Sequence, residues 1–377
     1  MSEKRKVLLT GGSGFIASHI LDILLENGYS VVAAVRTAQK SEAVLASLPE
    51  AQRPLVSFAL VDDVAREGAF DAVLASQPFD YVIHTASPYQ LRVEDPVKDL
   101  LDPALRGTTG LLRSVQRLAP SVKRVVLTSS SAAMLNPAKH AAVYDESCWR
   151  PMTWAEAQQP QNAYEASKVF AERAAWALVN GSDNVETAGE TAATGQPRAT
   201  SFDLAVVNCT YTFGPVQRWL SSWEGVNASN QRIRDCVLGR WTADKGGVPP
   251  TRPVFTWVDV RDVALAHIRA MGVPEAGGHR FYVVDGHFSN GRLASIVRES
   301  WESGDADKQK LAVDRLPSAE ETPDDLPSDV YQFDNRRSRD MLGLAEYRSL
   351  KDSVQDTVDS LLALEARCGG GSDGHGK

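Results

Sequence analysis

Thr10-Gly11-Gly12-Ser13-Gly14-Phe15-Ile16-Ala17 decides the reading of this chain, because of what stands on either side of it. The apolar run Val7-Leu8-Leu9 precedes it. Behind it, Ile16, Ile20, Ile23, Leu24 and Asn27 recur at helical spacing, and Asn27-Gly28 supplies a stop signal. Strand, glycine turn and helix in that order form the context that a G-x-x-G-x-x-[GA] dinucleotide fingerprint requires. Gly11 permits the tight turn, Gly14 lets the backbone approach a pyrophosphate, and Ala17 allows helix and sheet to pack closely. The helix N-terminus then meets the anion with free N–H groups. Gly11, Ser13, Gly14, Phe15 and Ile16 are the cofactor contacts expected of this turn.

Further along, β-branched runs alternate with helical patterns, the sequence form of a parallel sheet wound with helices. Val7–Leu9, Val31–Val35, Val56–Leu60, Tyr81–His84 and Val125–Thr128 read as strands, and Ser201–Val207 as a later one. A helix from about Asn162 to Val179 carries Ala163, Ala166, Phe170, Ala174 and Ala177 on a broad stripe, with Asn162 as its N-cap. The spacing predicts an α/β fold, a Rossmann doubly wound parallel sheet with a smaller C-terminal substrate-binding domain. The first domain spans 1–208 and includes a flexible, Gly-, Ser- and Thr-rich insertion over 180–200. Residues 209–368 form mainly the second domain, with some segments returning to the first. Trp219, Trp223, Trp241 and Trp257 crowd its irregular opening, Phe255–Val260 and Arg280–Val284 read as strands, and Leu350–Arg367 reads as a final amphipathic helix. The tail 369–377 is expected to be disordered.

Composition narrows the function. With 377 residues, 43% hydrophobic and 23% charged, the chain is neither disordered nor fibrous. Forty Lys and Arg against 48 Asp and Glu give a net charge of −8 without a basic run, which argues against nucleic acid and for a small-molecule partner. Cys148, Cys209, Cys236 and Cys368 lie far apart with no metal-ligand spacing, and the scattered histidines include no H-E-x-x-H, so no metal is expected. The charged opening runs straight into a strand and no apolar run nears 18 residues, so the expectation is a cytoplasmic protein without a membrane segment.

Four further places carry chemistry. The second strand ends at Val35-Arg36, where a cation can pair a 2′-phosphate and a carboxylate would repel it; Arg36 therefore favours NADP(H). Asp63 and Val64 follow the third strand, where a carboxylate and a backbone N–H could meet an adenine, with Asp62 competing for that role. Tyr164-Glu165-Ala166-Ser167-Lys168 sets a phenol and an ammonium one helical turn apart on one face, so the cation can favour the phenolate. Thr128-Ser129-Ser130-Ser131 ends the fifth strand, at the sheet edge where such folds bind ligands. No G-x-S-x-G surrounds these serines, which makes a serine hydrolase a poor fit. His84 ends the fourth strand and reads as a structural histidine beside the cofactor.

The order T-G-x-x-G-x-x-A, strand-ending Ser, Y-x-x-x-K resembles the extended short-chain dehydrogenase/reductase superfamily. Within it, the chain is similar to the dihydroflavonol reductase and cinnamoyl-CoA reductase group. His84-Thr85-Ala86-Ser87-Pro88, Tyr144-Asp145-Glu146-Ser147-Cys148-Trp149, Asn162-Ala163-Tyr164, Phe213-Gly214-Pro215 and Val258–Ala264 look closest to the fungal NADPH-dependent methylglyoxal and isovaleraldehyde reductases. The resemblance implies a Ser130, Tyr164, Lys168 catalytic set, with Lys168 and Tyr164 also touching the cofactor and Thr85, Ala86 and Ser87 lying along it. It implies substrate contacts at Tyr89 and Tyr211, and at Ser131, which replaces an aromatic residue and widens the pocket. Asn208-Cys209 stands where the group carries Asn-Pro.

These readings converge on an NADPH/NADP+-dependent carbonyl reductase, a monomer or homodimer, with a small-molecule carbonyl substrate. Two other readings share the scaffold, a sugar-nucleotide epimerase or dehydratase and a non-catalytic NADP(H)-sensing regulator.

Overall fold

The computed structural model describes residues 4–87, 94–182 and 200–369. It divides into two compact units. The first comprises residues 1–209, 263–283 and 332–345, and the second 210–262, 284–331 and 346–377.

The first unit is built on seven strands. Lys6–Thr10 (β1), Ser30–Val35 (β2), Val56–Leu60 (β3), Tyr81–His84 (β4) and Arg124–Ser130 (β5) are joined by Asp203–Cys209 and Arg280–Val283. Their order across the sheet is Arg280–Val283, Asp203–Cys209, β5, β4, β1, β2, β3, and every pairing is parallel. The strand order reverses between β1 and β4, the topological switch point at which such sheets bind ligands. This is the Rossmann-type doubly wound sheet expected from the alternation of short apolar runs and helical patterns. Side chains alternate across it. Leu8, Val82, Val125, Leu204 and Val206 meet Leu111, Leu112 and Val115 of the helix Asp102–Leu118 and Trp176 and Val179 of the helix Ala163–Asn180 in one core.

The glycine turn joins β1 to α1, Phe15–Glu26. Gly11 has φ +68°, and a Cβ there would stand 2.8 Å from Thr85 Oγ1, so both backbone and space require glycine. Close packing against the sheet falls on Gly12 as well as on Ala17: a Cβ on Gly12 would stand 2.7 Å from that of Ala33 in β2. The buried stripe of α1 is Ala17, Ile20, Leu21, Leu24 and Leu25, turned from the predicted one so that Ile16 and Ile23 are only half-buried.

Other boundaries move. β5 runs through Ser130, beyond the expected Thr128, because Ser129 and Ser130 stay in register with Asn208 and Cys209. The next strand begins at Asp203 rather than Ser201, since the Thr200 hydroxyl turns back to the Phe202 carbonyl. Asn162 precedes its helix without capping it; its side chain donates to the Glu156 carbonyl at 3.0 Å. A parallel pairing of Val143–Tyr144 with Gln332–Phe333 has no counterpart in the sequence reading. The insertion, as far as 183–199, and the tail 370–377 lie outside the described residues.

The second unit has a three-stranded sheet, Gly286–His287, Thr256–Asp259 and Tyr211–Phe213, and the long helix Leu350–Gly369. Phe213, Trp241, Trp257, Phe288 and Trp301 fill its core, so two of the four crowded tryptophans are buried there, while Trp219 and Trp223 pack against its edge. Among the described residues no helix is long and apolar enough to cross a membrane.

Candidate active site

The site grows from the carboxyl ends of β1, β4 and β5. Thr10, the last residue of β1, ties the end of β4 and the turn after it to β1. Its hydroxyl meets His84 Nδ1 at 2.7 Å and accepts from the Ala86 N–H at 3.2 Å, and its carbonyl accepts from the Thr85 hydroxyl at 2.7 Å. The turn after β4 is thereby held against Gly11. Ser87, next along, accepts a 2.9 Å hydrogen bond from Lys168 Nζ. Lys168 lies 5.7 Å from the centre of the Tyr164 ring one helical turn before it. Glycine turn, Thr85-Ala86-Ser87, Lys168 and Tyr164 thus form one continuous set of contacts.

Electrostatics follow from burial. Desolvation holds the Lys168 ammonium down to about 8, so it remains mostly a cation at neutral pH. Burial, and then the Lys168 charge, push His84 down to about 3, so this imidazole is neutral. With Phe70 edge-on to its ring at 6.2 Å, His84 is the structural residue its position suggested. His267, whose Nε2 lies 2.7 Å from the Thr128 hydroxyl, is likewise driven down by burial, to about 4.

The three strand-ending serines separate in role. Ser129 is buried and its hydroxyl donates to Glu172 Oε2 at 2.5 Å. Ser131 is 4% exposed and begins a short 3-10 turn, leaving little surface for a ligand. Ser130 stays half-buried, and its hydroxyl accepts from the Ala132 N–H at 3.1 Å, which leaves its own proton to donate. Ala133, three residues on, packs with Ala166, Val169 and Phe170 of the helix carrying Tyr164, so that helix flanks Ser130.

Sequence reasoning missed the network beneath. Glu172, 1% exposed, accepts from Arg280 Nε at 2.6 Å and Asn208 Nδ2 at 2.8 Å as well as from Ser129. Asn208 also reaches the Ser130 carbonyl at 3.4 Å, which gives the Asn208-Cys209 position a part in the site. Arg280, stacked 3.7 Å from the centre of the Trp149 ring, donates further to the Glu146 and Cys148 carbonyls. A Glu eight residues after Tyr164 on an otherwise buried helix face was the available signal.

The remaining expected residues are more open. Arg36 is exposed just past β2. Asp63 is exposed and accepts from the Ala65 N–H at 2.9 Å, Val64 is half-buried, and Asp62 pairs with Arg66 at the surface. The dinucleotide fit is favourable: Gly14, at the N-cap of α1, offers no side-chain cap and the first turn of α1 has no carboxylate, leaving its positive end for phosphates. Tyr211 lies in the second unit, where its hydroxyl accepts from Arg232 at 2.9 Å. Tyr89 and Pro88 lie outside the described residues. Among the described residues no group of three His, Cys, Asp or Glu could hold a metal ion.

Residues 7–284 match the model of the NAD dependent epimerase/dehydratase family, and the chain belongs to that family. It is 47% identical to the ketoreductase azaE of Aspergillus niger over 95% of this chain and 98% of that protein. It is 34% identical to the NADPH-dependent methylglyoxal reductase GRE2 of Saccharomyces cerevisiae, covering 96% and 99%. The crystal structure of the yeast methylglyoxal/isovaleraldehyde reductase Gre2 complexed with NADPH superposes with a TM-score of 0.80 at 31% identity, over 96% of this chain and 99% of that one.

The buried imidazoles set a pH dependence. Unfolded, both protonate near 6.5; folded, they stay neutral down to about 3 for His84 and about 4 for His267. Below pH 6.5 the unfolded chain therefore binds more protons, and their stabilising contribution, complete above that pH, is lost as pH falls. Urea unfolding at pH 7 and pH 5 should show this loss. His267→Gln should reduce the difference by about 2 kcal/mol, and an unchanged difference would contradict a neutral buried His267.

Proposed function

We propose that this protein is an NADPH-dependent carbonyl reductase that converts aldehydes or ketones to alcohols, with Ser130, Tyr164 and Lys168 as its catalytic residues. The observation that carries the reading is the Lys168 ammonium, bonded to Ser87 beside the glycine turn and set 5.7 Å from the Tyr164 ring. The relatives that match over nearly the whole chain carry the names of a ketoreductase and an NADPH-dependent reductase, which supports the same activity.

Bound NADPH supplies the hydride from its nicotinamide C4. Tyr164 gives its phenolic proton to the carbonyl oxygen as the hydride reaches the carbon. Lys168, a cation at neutral pH, favours the phenolate that remains. Ser130 donates its hydroxyl proton in a hydrogen bond to the same oxygen and so fixes the carbonyl's orientation. Gly11, Ser13, Gly14, Phe15 and Ile16 would hold the pyrophosphate, Arg36 the 2′-phosphate, Asp63 and Val64 the adenine, and Thr85, Ala86 and Ser87 the nicotinamide half. We assign Tyr89 and Tyr211 to the substrate; Ser131, expected with them, is too buried for that part. Dehydratase chemistry would need a free acid or base at the strand end, and the carboxylate that reaches it, Glu172, is buried and ion-paired. We assign the enzyme to the reducing cytoplasm, where its four thiols, none in a disulfide, stay reduced.

Two measurements test this. Tyr164→Phe should lower kcat for aldehyde reduction by about 10²- to 10⁴-fold while NADPH still binds, as read by quenching of tryptophan fluorescence; an undiminished rate would remove Tyr164 as the acid. Arg36→Ala should weaken NADPH binding about tenfold or more and leave NADH binding nearly unchanged, because only NADPH carries the 2′-phosphate; equal losses for both would remove Arg36 from cofactor selection.

A further inference from the structure

Lys168 keeps a charge that no carboxylate takes. It is half-buried on the helix Ala163–Asn180, with a glutamate three residues before it and another four residues after it, both within reach along the helix surface. Both are committed elsewhere. Glu165 pairs with Arg150 at 4.0 Å and Glu172 with Arg280 at 2.6 Å. Among the described residues the ammonium makes one hydrogen bond, the 2.9 Å donation to the Ser87 hydroxyl, and meets no carboxylate.

The other titratable groups that face it are His84, Tyr164 and Cys209. His84 of β4 is neutral, driven down to about 3 by burial and then by the Lys168 charge. Tyr164, on the same helix, is the phenol that the ammonium serves, with its ring centre 5.7 Å away. Cys209, on the strand beside β5, raises the proton affinity of Lys168, but burial outweighs it and leaves the ammonium at about 8. Ser87 is placed more firmly than any of these. The turn that carries it is pinned to β1 by the Thr85 hydroxyl on the Thr10 carbonyl at 2.7 Å and by the Ala86 N–H on the Thr10 hydroxyl at 3.2 Å. A neutral acceptor held at a fixed point favours the charged form of a lysine without neutralising it, whereas a carboxylate there would cancel the charge. An ammonium has three donors, so two remain beyond the one given to Ser87.

We propose that Ser87 is a positioning residue for the reaction: its hydroxyl holds the Lys168 ammonium in place and in its charged form, and so sets how far into alkaline pH the enzyme reduces carbonyl compounds. The inference deepens the reductase reading above and rests on it. Tyr164 gives the proton, Lys168 favours the phenolate left behind, and Ser87 keeps Lys168 charged while it does so.

The test reads Lys168 first and the reaction second. In the protein without nucleotide, competitive acetylation with acetic anhydride from about pH 6 to about pH 10 spans the ordinary lysine value and the lowered one. Mass spectrometry of the peptide carrying Lys168, with the exposed Lys123 as internal reference, gives the midpoint at which Lys168 loses its proton. Ser87→Ala should lower that midpoint by about one pH unit, the effect of losing a hydrogen bond to a charged group. Ser87→Thr, which keeps a hydroxyl, should stay near the wild type. With NADPH and butanal or benzaldehyde, kcat of Ser87→Ala should then fall about tenfold relative to the wild type near pH 8.5 and little near pH 6, as follows from a titration moved by one unit, with KM for the aldehyde changing less. An unmoved midpoint in Ser87→Ala, or a Ser87→Thr that behaves like Ser87→Ala, overturns the role of Ser87 while wild-type turnover keeps the reductase reading intact. A lowered midpoint that leaves the pH dependence of kcat unchanged overturns it as well. A wild type that oxidises NADPH with no aldehyde or ketone overturns both.

Discussion

The carboxylate of Glu172 accepts hydrogen bonds from Ser129, Asn208, Arg280 and, at 3.4 Å, the Trp176 indole, in a place with almost no exposed surface. Each partner belongs to a different part of the first unit: Ser129 to β5, Asn208 to the next strand, Arg280 to the edge strand, and Trp176 to the same helix as Glu172. A buried carboxylate has a large desolvation cost, offset here by a cationic partner and by four donors to its two oxygens. The consequence is geometric. The helix that carries Tyr164 and Lys168 is fastened in both rotation and register to the strand that ends in Ser130. Hydrophobic packing of its alanines alone would tolerate small slides that this ion pair does not.

A second fastening lies on the other side of the site. Thr10 draws the turn after β4 onto the glycine turn, and Ser87 at the end of that turn receives the Lys168 ammonium. Lys168 is thereby reached from both directions, through its helix by Glu172 and through its Nζ by Ser87. Burial lowers its affinity for protons without neutralising it at pH 7, the state in which its charge can act on a neighbouring phenol. The family to which the chain belongs includes epimerases and dehydratases as well, so the distinction rests on what stands at the strand end rather than on the fold.

How much of this the sequence disclosed depends on whether the determinant is local. The strands β3 and β4 were legible to the residue, because a short apolar run between turn signals leaves little choice. The glycine turn was legible because strand, loop and helix are consecutive. The stripe of α1 was misread by part of a turn, since both faces of that helix carry isoleucines and leucines and only packing selects between them. Asn162 looked like a cap, but its side chain found the Glu156 carbonyl, a partner that local rules do not foresee. A Glu on an otherwise buried helix face hinted at Glu172, but Arg280 is 108 positions away, so the pairing itself was invisible.

The most direct measurement is single-turnover hydride transfer from NADPH in the Glu172→Gln variant and in Glu172→Gln combined with Ser129→Ala, expressed per folded molecule and compared with the wild type. If Glu172 fixes the helix against the strand, Glu172→Gln slows transfer at least about tenfold with NADPH binding retained, and adding Ser129→Ala costs much less than it does alone, as expected for groups that share one interaction. A variant that is merely less stable, transferring hydride at the wild-type rate per folded molecule, would contradict it.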